Sequence, residues 1–341
     1  MTESAQNKTT GHRPPNDHTL LSVVVPCYNE SEVVDIFYSA LKQVLQTQNG
    51  INHEIIFVDD GSTDDTLEKL NAIMVNDPTV RVASLSRNFG HQIALTAGMD
   101  AAVGDAVIIM DSDMQHPPTL IPELLRNWYA GYDIVSAVRL RTANESWFKG
   151  STSRGFYKLL NALSSTKVPQ GAADFVLLSR RVCESLCSMP ERHRFLRGLV
   201  SWVGYPRTLV PYVAPERTAG TTKYSLAKMV TLAFDAVSSF SAEPLRLALR
   251  AGIVVSFGGF VYLAWTLGYG YLINGLTPGY ASLIGVTLIL GGLQLSFIGL
   301  IGQYLARVFE EVKGRPIYLL KQAPPAPRRS SSAGNNKESI R

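Results

Sequence analysis

Residues 108–118 read I-I-M-D-S-D-M-Q-H-P-P, an apolar run that stops abruptly in two acids, Asp111 and Asp113, with an amide at Gln115. Carboxylates so close repel each other unless a cation lies between them. Two more turns of the same kind occur upstream. One carries Pro26, Tyr28, Asn29 and Glu30; the other carries Asp59, Asp60, Gly61 and Ser62. Hard oxygen ligands of this type suit Mg2+ or Mn2+. An acidic crevice repels a bare phosphate but accepts one that arrives with a divalent cation. The expected chemistry is therefore metal-assisted handling of a diphosphate. A D-x-D alone is as well explained by a helix cap or a solvated turn. Its place at a strand end, beside two further acidic turns, favours the cation.

The elements that must bring these turns together are legible as alternating patterns. The apolar runs L-L-S-V-V-V-P, E-I-I-F-V-D-D, V-R-V-A-S-L-S, A-V-I-I-M-D and D-I-V-S-A-V read as buried strands. Helical spacing of apolar residues separates them over 30–45, 63–74, 89–103 and 119–130. Continuous apolar strands alternating with helices predict a parallel sheet covered on both faces. Right-handed crossovers then carry the strand ends to one edge, where open α/β sheets bind ligands. No G-x-G-x-x-G follows the first strand and no G-x-x-x-x-G-K occurs, which argues against a dinucleotide fold and a P-loop hydrolase.

The 341 residues carry a net charge of only +4, without a strong basic face, so nucleic acid is not an expected partner. Three cysteines give no disulfide framework; Cys183 and Cys187, a helical turn apart, read as small apolar residues. Residues 1–19 are polar and read as a disordered arm rather than a signal peptide. Residues 251–273 and 281–306 are apolar almost throughout, each long enough for a bilayer core, which needs about 20 such residues. The short N-G-L-T-P-G-Y link makes them a transmembrane hairpin. Arg246 and Arg250 precede it, and Arg307, Lys313 and Arg315 follow it, so both termini are expected on the cytoplasmic side of a bacterial inner membrane. Residues 225–250 read as an interfacial amphipathic helix, and residues 307–341 as a basic, Pro/Ser-rich cytoplasmic tail. That places the domain itself at 20–224.

Five segments in order, V-V-V-P-C-Y-N-E, V-D-D-G-S-T-D, R-N-F-G, D-S-D-M-Q-H-P-P and T-A-G-T-T-K-Y-S, together with the two spans, resemble family 2 glycosyltransferases of the GT-A fold. The likeness is to the polyprenyl-phosphate subgroup, and R-F-L-R-G-L-V-S-W-V-G and S-W-F-K resemble its bactoprenol glucosyltransferase branch. The resemblance implies that Pro26, Tyr28, Glu30, Val58 and Asp60 hold the nucleoside of a nucleotide-sugar donor, with Ser112 against its ribose or diphosphate. It implies metal ligation by Asp113 and Gln115, with Asp111 as the partner acid. Arg139 and Lys149, with Arg154 as an alternative to Lys149, would meet the phosphate of a polyprenyl acceptor. Arg217 and Lys223 would flank a loop closing over both phosphates. Asp174 matches an acid needed for activity in that branch, its chemical role open. His91, beside the acidic turns, either touches the diphosphate or packs a helix start; His116 is given no catalytic role. The family also implies a homo-oligomer, with a tetramer suspected, and a flippase as a partner.

A polyprenyl phosphate needs no general base, because its second pKa of about 6 leaves it anionic at pH 7. The protein must instead supply cations. The expected reaction is transfer of a hexose, UDP-glucose being the first choice of donor, in one inverting displacement without a covalent nucleophile. Other hexoses, hexosamines or a formamido-arabinose remain open, as does a non-catalytic partner of a flippase. A processive polysaccharide synthase fits less well, since two spans cannot line a channel and no Q-x-x-R-W occurs.

Overall fold

The computed structural model describes residues 19–140, 172–192, 194–213 and 279–326, with isolated positions and short runs between 245 and 265. The chain divides into two compact units. One takes in residues 1–152, 168–223 and 316–341; the other takes in 153–167 and 224–315.

The first unit is built on one eight-stranded sheet. Its elements are β1 (Thr19–Cys27), α1 (Val34–Gln46), β2 (Ile51–Asp59), α2 (Thr66–Asn76), β3 (Val80–Leu85), α3 (His91–Ala101) and β4 (Ala106–Ile109). Then come a 3-10 turn (Pro118–Leu120), α4 (Ile121–Tyr129), β5 (Ile134–Arg139), β6 (Ala172–Ser179), α5 (Arg180–Cys187), α6 (Leu196–Trp202) and β7 (Arg207–Tyr212). The order across the sheet is β7-β5-β6-β4-β1-β2-β3-β8, where β8 is Leu320–Gln322. β1 lies between β2 and β4, parallel to both, which is why its apolar run is buried on both faces.

The predicted helices are present, with their starts moved. The first begins at Val34 rather than at residue 30, after a turn in which the carbonyl of Glu30 accepts the amides of Val33 and Val34. Its Val34, Phe37, Leu41 and Leu45 join Leu70 of α2 and Leu124 of α4 in a core against alternate residues of β1 and β2. The opposite face carries α3. A Cβ on Gly98 of that helix would stand 2.2 Å from Val24 Cγ1 and 3.0 Å from Val58 Cγ2. Helix and sheet meet there without room for a methyl group. Gly98→Ala is therefore expected to cost about 1–3 kcal/mol by overpacking, read as a lower urea midpoint, and Val24→Ala should recover part of the loss. An unchanged midpoint in Gly98→Ala would show that the interface yields.

The sheet is mostly parallel, but not wholly as the strand pattern suggests. β6 runs antiparallel to both β4 and β5, and β8 antiparallel to β3. A reversed strand offers its first residues, not its last, to the edge where β1, β2 and β4 end. That reversal decides where Asp174 goes.

In the second unit, residues Tyr280–Val312 form one helix, α7, of 33 residues. Large apolar side chains along it are exposed, Leu283, Leu295, Ile298 and Leu305 among them, as are Ile253, Phe257 and Trp265. Among the described residues, no helix is long and apolar enough to cross a membrane. Most of the interfacial stretch 225–250 and much of the first apolar run lie outside the described residues.

Candidate active site

The ends of β1, β2 and β4 and the start of β6 meet at one sheet edge. β4 pairs with β6 through Ile109↔Val176, so continuing that register sets Asp111 across from Asp174. His91, the first residue of α3, lies between them: its Nε2 is 3.4 Å from Asp111 Oδ1 and 3.6 Å from Asp174 Oδ2. Burial works against the charged imidazole, but the contact with Asp174 and the charge of Asp111 outweigh it and raise the pKa of His91. His91 is thus both the first residue of its helix and a neighbour of the two acids.

Asp111 is held from behind by a residue that the sequence reading left without a role. Its backbone N–H donates to His116 Nδ1 at 2.9 Å, which requires that nitrogen to be unprotonated. His116 is buried, stacks on Phe175 at 5.1 Å and meets Tyr212 edge-on. Burial lowers its pKa against the pull of Asp111, in keeping with a neutral ring that fixes the backbone. Burial likewise raises the pKa of Asp111. Its Oδ1 is buried and has no hydrogen-bond partner.

Asp113 and Gln115 follow on the same turn, with Met114 between them at φ 62°. The Gln115 amide donates to Asp113 Oδ1 at 3.1 Å, and Arg139, at the end of β5, donates to Gln115 Oε1 at 3.4 Å. The basic residue expected on the acceptor side thus touches an oxygen expected on the metal side. Ser112 is buried, its hydroxyl 3.4 Å from the Pro26 carbonyl, which ties the D-S-D turn to the end of β1.

Among the described residues, no group of three or more His, Cys, Asp or Glu side chains is placed to hold a metal ion. The donor set nevertheless fits Mg2+ or Mn2+. Asp111 has a buried oxygen without a hydrogen-bond partner, and Asp113 and Gln115 add oxygen donors on the same turn. Mg2+ is commonly held by one or two carboxylates with substrate phosphates completing its shell.

The expected nucleoside residues divide. Tyr28 is exposed and Glu30 half-buried just past the end of β1. Val58 is fully buried and packs toward α3, so only its backbone faces the edge. Asp60, expected at the nucleoside, also has backbone partners. Its two oxygens accept the amides of Phe89 and Gly90 at 2.7 and 2.9 Å, and it is 3 % exposed. Burial raises its pKa more than those two amides lower it. It holds the R-N-F-G loop, which the turn approaches so closely that a Cβ on Gly61 would stand 2.4 Å from the Arg87 carbonyl carbon. Asn29, at φ 54°, joins the β1 and β2 turns by accepting the Thr63 amide at 2.9 Å.

Asp174 is paired with Arg197 of α6, Nε to Oδ1 at 2.7 Å and the terminal nitrogen to Oδ2 at 2.9 Å. Burial alone would raise its pKa; the Arg197 guanidinium, then His91, hold it well below the usual carboxylate range. Arg197 stood in a quoted segment of the sequence but received no role there. Lys149, Arg154, Arg217 and Lys223 lie outside the described residues.

The comparisons with known proteins bear on this sheet and its acidic edge. Residues 22–187 match the family model described as glycosyl transferase family 2. YkcC of Bacillus subtilis (strain 168), described as an uncharacterized glycosyltransferase, is 43 % identical over 306 residues, 90 % of this chain and 94 % of that protein. A prophage bactoprenol glucosyl transferase homolog of Escherichia coli (strain K12) is 41 % identical over 302 residues, covering 89 % of this chain and 98 % of that protein. The bactoprenol glucosyl transferase of Shigella phage SfV is 41 % identical over 301 residues, covering 88 % and 98 %. The molecule is a glycosyltransferase with a GT-A, Rossmann-like sheet. It belongs to glycosyl transferase family 2.

Proposed function

We propose that this enzyme transfers a hexose, with glucose the first choice, from a UDP-sugar to a polyprenyl phosphate, with inversion and with a divalent cation. The observation that carries the reading is the buried Asp111 oxygen, which no hydrogen bond satisfies and which His91 approaches at 3.4 Å, beside Asp113 and Gln115, with Arg139 reaching Gln115. Acids that need a cation and a base that needs an anion adjoin, which suits two phosphates meeting. The relatives named bactoprenol glucosyl transferase, matched over most of their length, support the acceptor and the sugar.

Asp113, Gln115 and Asp111 would hold the cation. When bound with the diphosphate, it offsets the charge that builds on the departing nucleoside diphosphate. Tyr28 and Glu30 would receive the nucleoside, with Ser112 near its ribose. Arg139 would draw the anionic acceptor oxygen toward the anomeric carbon by charge-assisted hydrogen bonds. Lys149 and the basic pair Arg217 and Lys223 are proposed to share that work. The acceptor oxygen is already ionised, so no side chain has to remove a proton from it. A screen of UDP-, GDP- and dTDP-hexoses against a short polyprenyl phosphate, with Mg2+ or Mn2+, tests the reading. UDP-glucose should give a lipid-linked hexose. Turnover undiminished by a chelator would overturn the metal, and transfer to water alone would overturn the acceptor.

The acceptor implies a membrane. The exposed Leu, Ile and Phe residues of α7 and of 253–265 support contact with lipid, since apolar surface of that extent calls for a non-aqueous partner. We place the sheet and both termini on the cytoplasmic side, on the strength of the basic residues flanking the apolar runs. A reporter active only outside the cytoplasm should stay silent when fused after Arg341. Activity from that fusion would reverse the assignment.

A further inference from the structure

The reversed strand β6 brings a third carboxylate to the D-S-D acids. Asp174 and Asp111 both approach the same His91 nitrogen, at 3.6 and 3.4 Å. With Asp113, three carboxylates at one sheet edge would make a permanent cation site, because affinity for hard divalent ions rises with the number and charge of oxygen ligands. Yet no such three-membered group is assembled among the described residues. Asp174 has another partner. The planar guanidinium of Arg197 engages both of its oxygens, at 2.7 and 2.9 Å. A fork of that kind fixes the direction of a carboxylate as well as its charge.

Arg197 is itself fixed. The amide of Leu196, at the start of α6, donates to Gln92 Oε1 at 2.9 Å, and Gln92 Nε2 reaches back to Asp174 Oδ2 at 3.5 Å. The carboxylate is 9 % exposed and the guanidinium 34 %, so the pair sits at the wall of the crevice rather than in open solvent.

We propose that Arg197 is a positioning residue that withholds Asp174 from the cation, so that Mg2+ or Mn2+ binds firmly only with a nucleoside diphosphate. The inference rests on the metal-dependent reading above. With Asp174 engaged by Arg197, the remaining donors leave part of the ion's shell to be filled by phosphate oxygens. With Asp174 free to join, the ion would bind without the donor, and would also retain the product diphosphate after transfer.

The test is Mn2+ binding, followed by the electron paramagnetic resonance of the free ion, on the full-length protein in detergent with and without UDP. The parent should bind Mn2+ alone weakly, and at least about tenfold more tightly with UDP. Arg197→Gln should bind Mn2+ alone at least about tenfold more tightly than the parent and respond less to UDP. The double variant Arg197→Gln with Asp174→Asn should return to the parent's value for Mn2+ alone. Arg197→Lys keeps the charge but loses the fork. It should shift in the same direction by less, and it carries the comparison if the Gln variant fails to fold. A variant no tighter than the parent for Mn2+ alone, with UDP-dependent binding intact in the parent, overturns the role of Arg197 and leaves the metal reading standing. A gain that survives in the double variant also overturns it. No Mn2+ binding by the parent even with UDP overturns both.

Discussion

Asp113→Asn should reduce sugar transfer by at least about a hundredfold, the scale of losing a principal group that stabilises developing charge. The fold should survive. Asp113 Oδ1 accepts the Gln115 amide at 3.1 Å, and an Asn oxygen can accept the same bond. What is lost is a negative charge, and the third carboxylate at the edge, Asp174, is already engaged by Arg197. Asp111 cannot compensate, because it is already placed on the same cation in this reading. Donor binding should therefore weaken in the variant only when Mg2+ or Mn2+ is present, and should match the parent in a chelator. Calorimetry with UDP in both conditions checks this. Equal metal-dependent binding in variant and parent would remove Asp113 from the metal site.

Much of this site can be read from the chain because the signals are local. A strand ending in D-S-D, another ending in D-D-G-S and a third in P-C-Y-N-E each announce an edge, and periodicity places the helices between them. What could not be read depends on direction and on distant partners. The run A-A-D-F-V-L-L is equally apolar whether its strand runs parallel or antiparallel, so nothing in it shows that β6 reverses and delivers Asp174 to the edge. Arg197 meets Asp174 across 23 positions of sequence, and a bidentate pair at that separation leaves no pattern in either segment. Asp60 adds a partner that the sequence could not show. An acid at a strand end looks like a ligand to something in the crevice, and here it also accepts the amides of Phe89 and Gly90, some 30 positions away. His116 was passed over because a histidine before two prolines has no local chemistry; its work is to receive a backbone N–H.

Arg139→Ala should separate acceptor from donor. Removing one donor of a charge-assisted bond costs about 1.5–3 kcal/mol, or roughly ten- to a hundredfold in rate at about 1.4 kcal/mol per decade. Arg139 is exposed at the end of β5, so its loss should leave the fold intact. If it draws in the lipid phosphate, transfer to polyprenyl phosphate falls by that factor. Slow hydrolysis of the sugar nucleotide by water stays nearly unchanged, because water brings no charge to be offset. The contact with Gln115 Oε1, 3.4 Å in this structure, sharpens the expectation. Taking the guanidinium away releases that oxygen toward the cation, which favours departure of the diphosphate and would, if anything, raise hydrolysis. Asp113→Asn should suppress both reactions together, since both need the same leaving group. The ratio of transfer to hydrolysis therefore falls in Arg139→Ala and holds in Asp113→Asn. If both variants lower the two reactions in equal proportion, Arg139 serves the donor, and the cation that meets the acceptor must come from Lys149, Arg217 or Lys223.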